Sequence, residues 1–190
     1  MSRSKLPDFD AERPPELGGL PILSQLLNQP PSECARRAKV ALAFGDRSRS
    51  RLRIETEAFE TKPFATKLLE TESHDHQSSI AAGILLPRGS IIRGGLWVCG
   101  EGLAVQVLAA DEDLIEVSVD SAQSDPELLL LRAAYHLGNR HVPLQLVRGL
   151  LKLEYDYVLV DMLITMGLKV QRRIGPFEPE WGAYAQGQHH

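Results

Sequence analysis

The placement of the histidines, rather than their number, selects the chemistry open to this chain. There are six, His74, His76, His136, His141, His189 and His190, beside two cysteines, Cys34 and Cys99. Neutral imidazole ligates borderline divalent ions such as nickel, copper and zinc. His141 sits in Gly138-Asn139-Arg140-His141-Val142-Pro143, where the chain is leaving a helix and a side chain projects. On position alone a ligand role and a solvated role stand level, because surface histidines are common. His136 lies inside the helix, between Tyr135 and Leu137, and reads as a packed histidine holding one hydrogen bond. His74-Asp75-His76 places two imidazoles around a carboxylate in a polar stretch, a composition that can chelate a metal or simply be solvated. His189-His190 is either a metal-capturing tail or chemically silent. Two cysteines cannot build a disulfide framework or a four-thiolate zinc site, and both read as reduced thiols. Arg47, Arg49, Arg51 and Arg53 alternate and would share one strand face, solvated or docking an acidic partner.

Several function classes are excluded. No G-x-S-x-G, P-loop, H-E-x-x-H or C-x-x-C pattern occurs, so the chain is not expected to be an enzyme. Gly94-Gly95 and Gly100-Glu101-Gly102 lie between short strands rather than opening a helix, and so are turns rather than phosphate loops. With 21 Lys+Arg against 25 Asp+Glu, a net charge of -4, there is no basic footprint for nucleic acid. Residues 1–19 contain no apolar signal core, and no apolar run approaches the ~20 residues of a membrane span. A cytoplasmic location is the expectation.

The elements that must position these residues follow from the hydrophobic rhythm. In 190 residues, 43% hydrophobic and 24% charged, there is material for one ordinary domain or two small ones. Six of the twelve prolines fall at Pro7, Pro14, Pro15, Pro21, Pro30 and Pro31, so residues 1–37 read as an extended arm with one apolar patch, Leu20 to Leu27. From Lys39, Val40, Leu42 and Phe44 alternate, Gly45-Asp46-Arg47-Ser48 supplies a turn, and Leu52 and Ile54 continue a hairpin. Strands at 84–86, 96–99 and 103–108 complete a small all-β domain over 38–109, with residues 56–79 as a polar insertion. After Ala109 comes a strand through Leu114, Ile115, Val117 and Val119. A helix over 127–137 follows, capped by Asp125-Pro126 and stopped by Gly138. Strands at 144–146 and 150–153, a helix from Asp156 to Gly167 and a strand at 168–174 complete the order βαββαβ. The predicted fold is therefore α+β: the all-β domain, then a ferredoxin-like domain over 110–184, then a tail at 185–190.

The second half also resembles a known family. Ala133-Ala134-Tyr135-His136-Leu137-Gly138-Asn139-Arg140-His141-Val142-Pro143-Leu144-Gln145 is similar to the signature of the urease accessory protein E family, nickel metallochaperones of urease maturation. Leu85-Leu86-Pro87-Arg88-Gly89 resembles its first-domain loop, and Tyr155-Asp156-Tyr157-Val158-Leu159 through Gly167-Leu168 its second helix. Phe177-Glu178-Pro179-Glu180-Trp181-Gly182-Ala183-Tyr184 resembles its closing motif. The resemblance implies a β domain likened to a chaperone's peptide-binding domain, a ferredoxin-like metal-binding domain and a homodimer. It implies nickel binding by His141 at the dimer interface, and partners among the urease apoprotein and the urease accessory proteins, including the accessory GTPase. Family members often carry histidine where Tyr157, and sometimes Tyr155, stands here. A phenol that keeps its proton at neutral pH is a poor ligand, so that accessory site is expected to be absent.

One imidazole holds a divalent ion weakly, so a two-fold axis beside His141 would be needed to bring two rings to one point. Zinc or copper could enter the same site, because selectivity is set by geometry and supply. His189 and His190 are plausible additional ligands, with His74 and His76 weaker candidates. The alternative is a protein-interaction module of a maturation complex whose metal binding is incidental.

Overall fold

Alternation of apolar and polar residues does build strands where expected, but the first sheet contains more chain than the alternation shows. The computed structural model describes residues 15–32, 34, 36–58 and 79–180. A single 3₁₀ turn, Pro15–Leu17, leads into β1 (Ile22–Leu23) and β2 (Gln25–Leu27). Then come β3 (Arg36–Leu42), a four-residue helix α1 (Phe44–Arg47), β4 (Arg51–Ala58), β5 (Ile80–Leu85), β6 (Trp97–Gly100) and β7 (Leu103–Ala109). The sheet order is β1-β5-β4-β3-β7-β6-β2. Its two end strands are separated only by Ser24, whose N–H donates to the Cys99 carbonyl at 3.0 Å. One continuous segment therefore pairs with β5 in parallel and then with β6 antiparallel, closing the sheet into a barrel and removing its open edges. Gly100 is required where they meet, because a Cβ there would collide with the Ile22 carbonyl.

Of the expected extended arm, residues 1–14 lie outside the described residues, whereas the segment around the apolar patch Leu20 to Leu27 is part of the barrel. Leu17 and Leu23 are fully buried, and Leu23 belongs to the barrel core with Ala38, Ile54, Ile84, Val98, Val105 and Val107. Residues 56–58 belong to β4 rather than to the insertion. The rest of the insertion, including His74 and His76, lies outside the described residues, as do residues 181–190 with His189 and His190. Arg47 does not share a strand face with Arg51 and Arg53. The expected turn is a helical turn, and Arg47 is completely buried at its end.

The second sheet has the order β11-β8-β10-β9, all antiparallel. It comprises β8 (Asp111–Ser118), β9 (Gln145–Val147), β10 (Leu150–Glu154) and β11 (Lys169–Pro176), with helices α2 (Pro126–Gly138) and α3 (Tyr157–Thr165) in the connections. The mixed α/β architecture is mostly sheet. Ile115, Val117, Leu151 and Leu153 of alternate strand positions pack against Ala133 and Leu137 of α2 and Leu163 of α3, a core separate from the barrel's. Both helix starts are capped as the sequence predicts. Asp125 Oδ1 accepts from Leu128 N at 3.1 Å, and Asp156 Oδ1 accepts from Val158 N at 2.7 Å and Leu159 N at 3.1 Å. Among the described residues no helix is long and apolar enough to cross a membrane.

Candidate metal site

The two helices end in the same way, and the difference between their ends defines the site. At the end of α3, Leu168 N donates to Leu163 O and Gly167 N to Ile164 O. Gly167 sits at φ +88. This is the Schellman arrangement, whose C′ residue takes the left-handed conformation and is usually glycine. At the end of α2, Val142 N donates to Leu137 O and His141 N to Gly138 O. The left-handed position is filled by His141, at φ +58. Gly138, expected to stop the helix, is instead its last residue, and the turn continues through Asn139 and Arg140 before reversing at His141.

A non-glycine residue at positive φ costs roughly 1–2 kcal/mol. Among the described residues only Glu101 and His141 adopt it. Glu101 has a local reason, since its carboxylate accepts from Ile22 N at 3.0 Å across the barrel seam. His141 is exposed, and its ring makes neither a hydrogen bond nor an ion pair among the described residues. Among the described residues neither ring nitrogen is engaged, which is the condition for ligating an exchangeable ion.

The surroundings differ from the sequence reading at one further residue. His136 is exposed on the last turn of α2 rather than packed, its ring edge-on to Tyr135 with centroids 5.5 Å apart. Its backbone carbonyl accepts from Arg140 Nη1 at 3.1 Å, which ties the guanidinium back along the helix. Tyr155 is engaged by Arg172, whose guanidinium lies 4.2 Å above the ring centroid. Arg172 also pairs bidentately with Asp113 at 2.8 and 2.5 Å, and that hydrogen bonding holds the Asp113 carboxyl below its ordinary range. Tyr157 is exposed. Among the described residues no three histidine, cysteine or acidic side chains come together as a metal cage. The two cysteines are free, and burial, then the neighbouring Cys34, pushes the Cys99 thiol up, away from the thiolate a metal needs.

The helix that leads to His141 exposes an apolar stripe. Leu128, Leu131 and Tyr135 lie on one face of α2 at helical spacing, with Leu131 and Tyr135 each 66% exposed. The edge strand β9 exposes Leu146 and Val147 close behind in sequence. Among the described residues, His141 thus lies just past the end of a helix whose one face exposes Leu128, Leu131 and Tyr135.

Comparison with known proteins shows the family of the chain. A family model described as UreE urease accessory protein, C-terminal domain, matches residues 112–190, which include α2, His141 and α3. The urease accessory protein UreE of Cupriavidus necator is 40% identical over 173 residues, covering 88% of this chain and 77% of that protein. The chain belongs to the UreE urease accessory protein family. The UreE protein of Ralstonia nicotianae is 42% identical over 156 residues, 82% of this chain and 62% of that protein. A UreE protein of Burkholderia pseudomallei is 48% identical over 108 residues, 56% of this chain and 51% of its own length. The chain therefore spans less than two thirds of the length of these last two relatives.

Proposed function

We propose that this chain serves urease maturation as a nickel carrier, and that His141 is the residue that takes the ion. The carrying observation is the contrast between the two helix ends. The same backbone motif that uses Gly167 on α3 uses His141 on α2, so the strain of a left-handed histidine is accepted where an open imidazole results. The donor fits the cargo: nickel accepts neutral imidazole, and zinc or copper can occupy the same site. A single ring binds loosely, and the exposed apolar face of α2 supports pairing of two chains, which brings two His141 rings to one two-fold axis. Such a shallow site suits release to a recipient. The urease apoprotein and the urease accessory proteins, including the accessory GTPase, are the proposed partners, in the cytoplasm.

We read the second unit, β8-α2-β9-β10-α3-β11 with sheet order β11-β8-β10-β9, as a ferredoxin-like metal-binding domain following a separate β domain. His189 and His190 are proposed as additional ligands. The test is a calorimetric nickel titration of the wild type against His141→Ala at equal chain concentration. An affinity loss of at least tenfold is expected. Unchanged affinity would move the metal elsewhere and favour the interaction-module reading.

A further inference from the structure

The four residues after β11 lie between the two units and bond to both. Phe177 is completely buried, its ring edge-on to Phe44 of α1 with centroids 5.7 Å apart. Glu178 Oε1 accepts from Arg47 Nη1 at 2.7 Å and from Gly94 N at 2.8 Å, and Glu178 Oε2 accepts from Arg93 Nη1 at 3.0 Å. All three donors belong to the barrel unit. Two backbone N–H groups of the same four residues face the other way. Glu178 N donates to Gln145 Oε1 at 3.0 Å, and Glu180 N donates to Leu144 O at 2.6 Å. Leu144 and Gln145 follow His141 within four residues.

The barrel side of this strap is built rather than incidental. Arg47 is 0% exposed, and beyond Glu178 it donates from Nε to Leu42 O at 3.0 Å, from Nη1 to Ile92 O at 3.2 Å and from Nη2 to Phe177 O. A buried guanidinium needs its fork filled, and the strap brings the carboxylate that balances its charge. Gly94 lies close beneath it: a Cβ there would stand 2.7 Å from Glu178 Oε1, so the carboxylate would have to shift. A second tie crosses the same seam, from Phe44 N to Glu112 Oε1 of β8 at 2.8 Å.

We propose that residues 177–180 form a clasp that holds the barrel and the His141 turn as one rigid body, with Glu178 as its positioning residue. Letting go of the strap would strand the buried Arg47 charge, so the clasp is a fixed brace. A partner seated on the barrel is then presented to His141 at constant geometry. The clasp is independent of which ion His141 carries.

The test is the distance between spin labels at Arg53→Cys on β4 and Asp161→Cys on α3, both exposed positions. The background is Cys34→Ser and Cys99→Ala, and excess unlabelled chain leaves one labelled copy per oligomer. The expected result is one narrow distance distribution in the parent, a width at least doubled by Glu178→Ala, and recovery towards the parental width with Glu178→Gln, whose Oε1 still accepts. Unchanged width in Glu178→Ala overturns the clasp. Should that variant fail to fold, the double variant Gln145→Ala with Glu180→Pro, which removes both hydrogen bonds on the His141 side, decides in the same way: broadening supports the clasp and an unchanged width overturns it. Because no metal is present in the measurement, its failure is distinct from failure of the nickel reading.

Discussion

Replacing Arg47 by methionine tests how much stability the buried guanidinium contributes. Methionine keeps an unbranched apolar stem in the same space but removes all four hydrogen bonds. The groups left behind are not equally harmed. Leu42 O keeps a donor in Ala110 N at 3.0 Å, and Glu178 keeps Arg93 and Gly94. Ile92 O and Phe177 O lose the guanidinium donor, and a buried carbonyl without a partner costs about 1–3 kcal/mol. Adding the lost charge-assisted bond to Glu178, and subtracting the relief of no longer burying a charge, leaves a net loss of about 3–4 kcal/mol. For a chain of this size each kcal/mol lowers the melting temperature by about 2–4 °C, so a fall of about 10 °C is expected. Arg47→Lys keeps the charge, but three donors on one nitrogen cannot span the four acceptors that the guanidinium reaches from Nε, Nη1 and Nη2, and should lose about half as much. Thermal unfolding followed by circular dichroism reads both variants. A loss below about 1 kcal/mol for Arg47→Met would refute the reasoning, because the four bonds would then be worth no more than solvent contacts.

Three further outcomes follow from particular residues. His141→Gly relieves the left-handed strain and should raise unfolding stability by about 1 kcal/mol, whereas Gly167→Ala on the sister helix should lower it by about 1–2 kcal/mol; denaturant titration compares them. Burial, with the neighbouring Glu154 adding to it, holds the Glu112 carboxyl above its ordinary value. A raised value means that the folded chain favours the proton, so this contribution is present at acid pH and lost as pH rises through the folded value. Glu112→Gln should therefore stabilise the chain at neutral pH and change little in acid, a pattern read from urea midpoints across pH. Asp113 has the opposite sign: its carboxyl is held low by Arg172, so its contribution is present above the ordinary carboxylate range and lost as acid protonates it. Asp113→Asn should flatten the acid limb of the same midpoint curve.

Much of the second unit is legible in the sequence because its signals are local. Asp125-Pro126 and Asp156 announce helix starts, and both aspartates cap as their chemistry demands. The apolar alternation of Ile115 and Val117, and of Leu151 and Leu153, marks the faces that become the core. The barrel's closing segment is hidden by its prolines. Pro21 lacks an N–H, but its carbonyl still accepts from Gly83 N at 2.9 Å, so proline is tolerated at the mouth of a strand where only an acceptor is needed. The alternation of Arg47 with Arg49, Arg51 and Arg53 misleads because one helical turn intervenes and swings Arg47 inward. Nothing near Arg47 announces its partner, since Glu178 lies 131 residues away. At the candidate site the identity of His141 is legible, but its backbone state is not. Residue type alone points to Gly138 as the helix stop, although the apolar Val142 one place beyond His141 carries the signal of a Schellman end.

The central claim is that two copies of His141 share one exchangeable ion. The most direct measurement is light scattering on the protein eluted with nickel, coupled to metal analysis across each peak, for the wild type and His141→Ala. The expected result is a wild-type dimer carrying one nickel per two chains, and a His141→Ala dimer of the same mass whose nickel content falls sharply. A His141→Ala dimer that elutes with its full wild-type complement of nickel would contradict it.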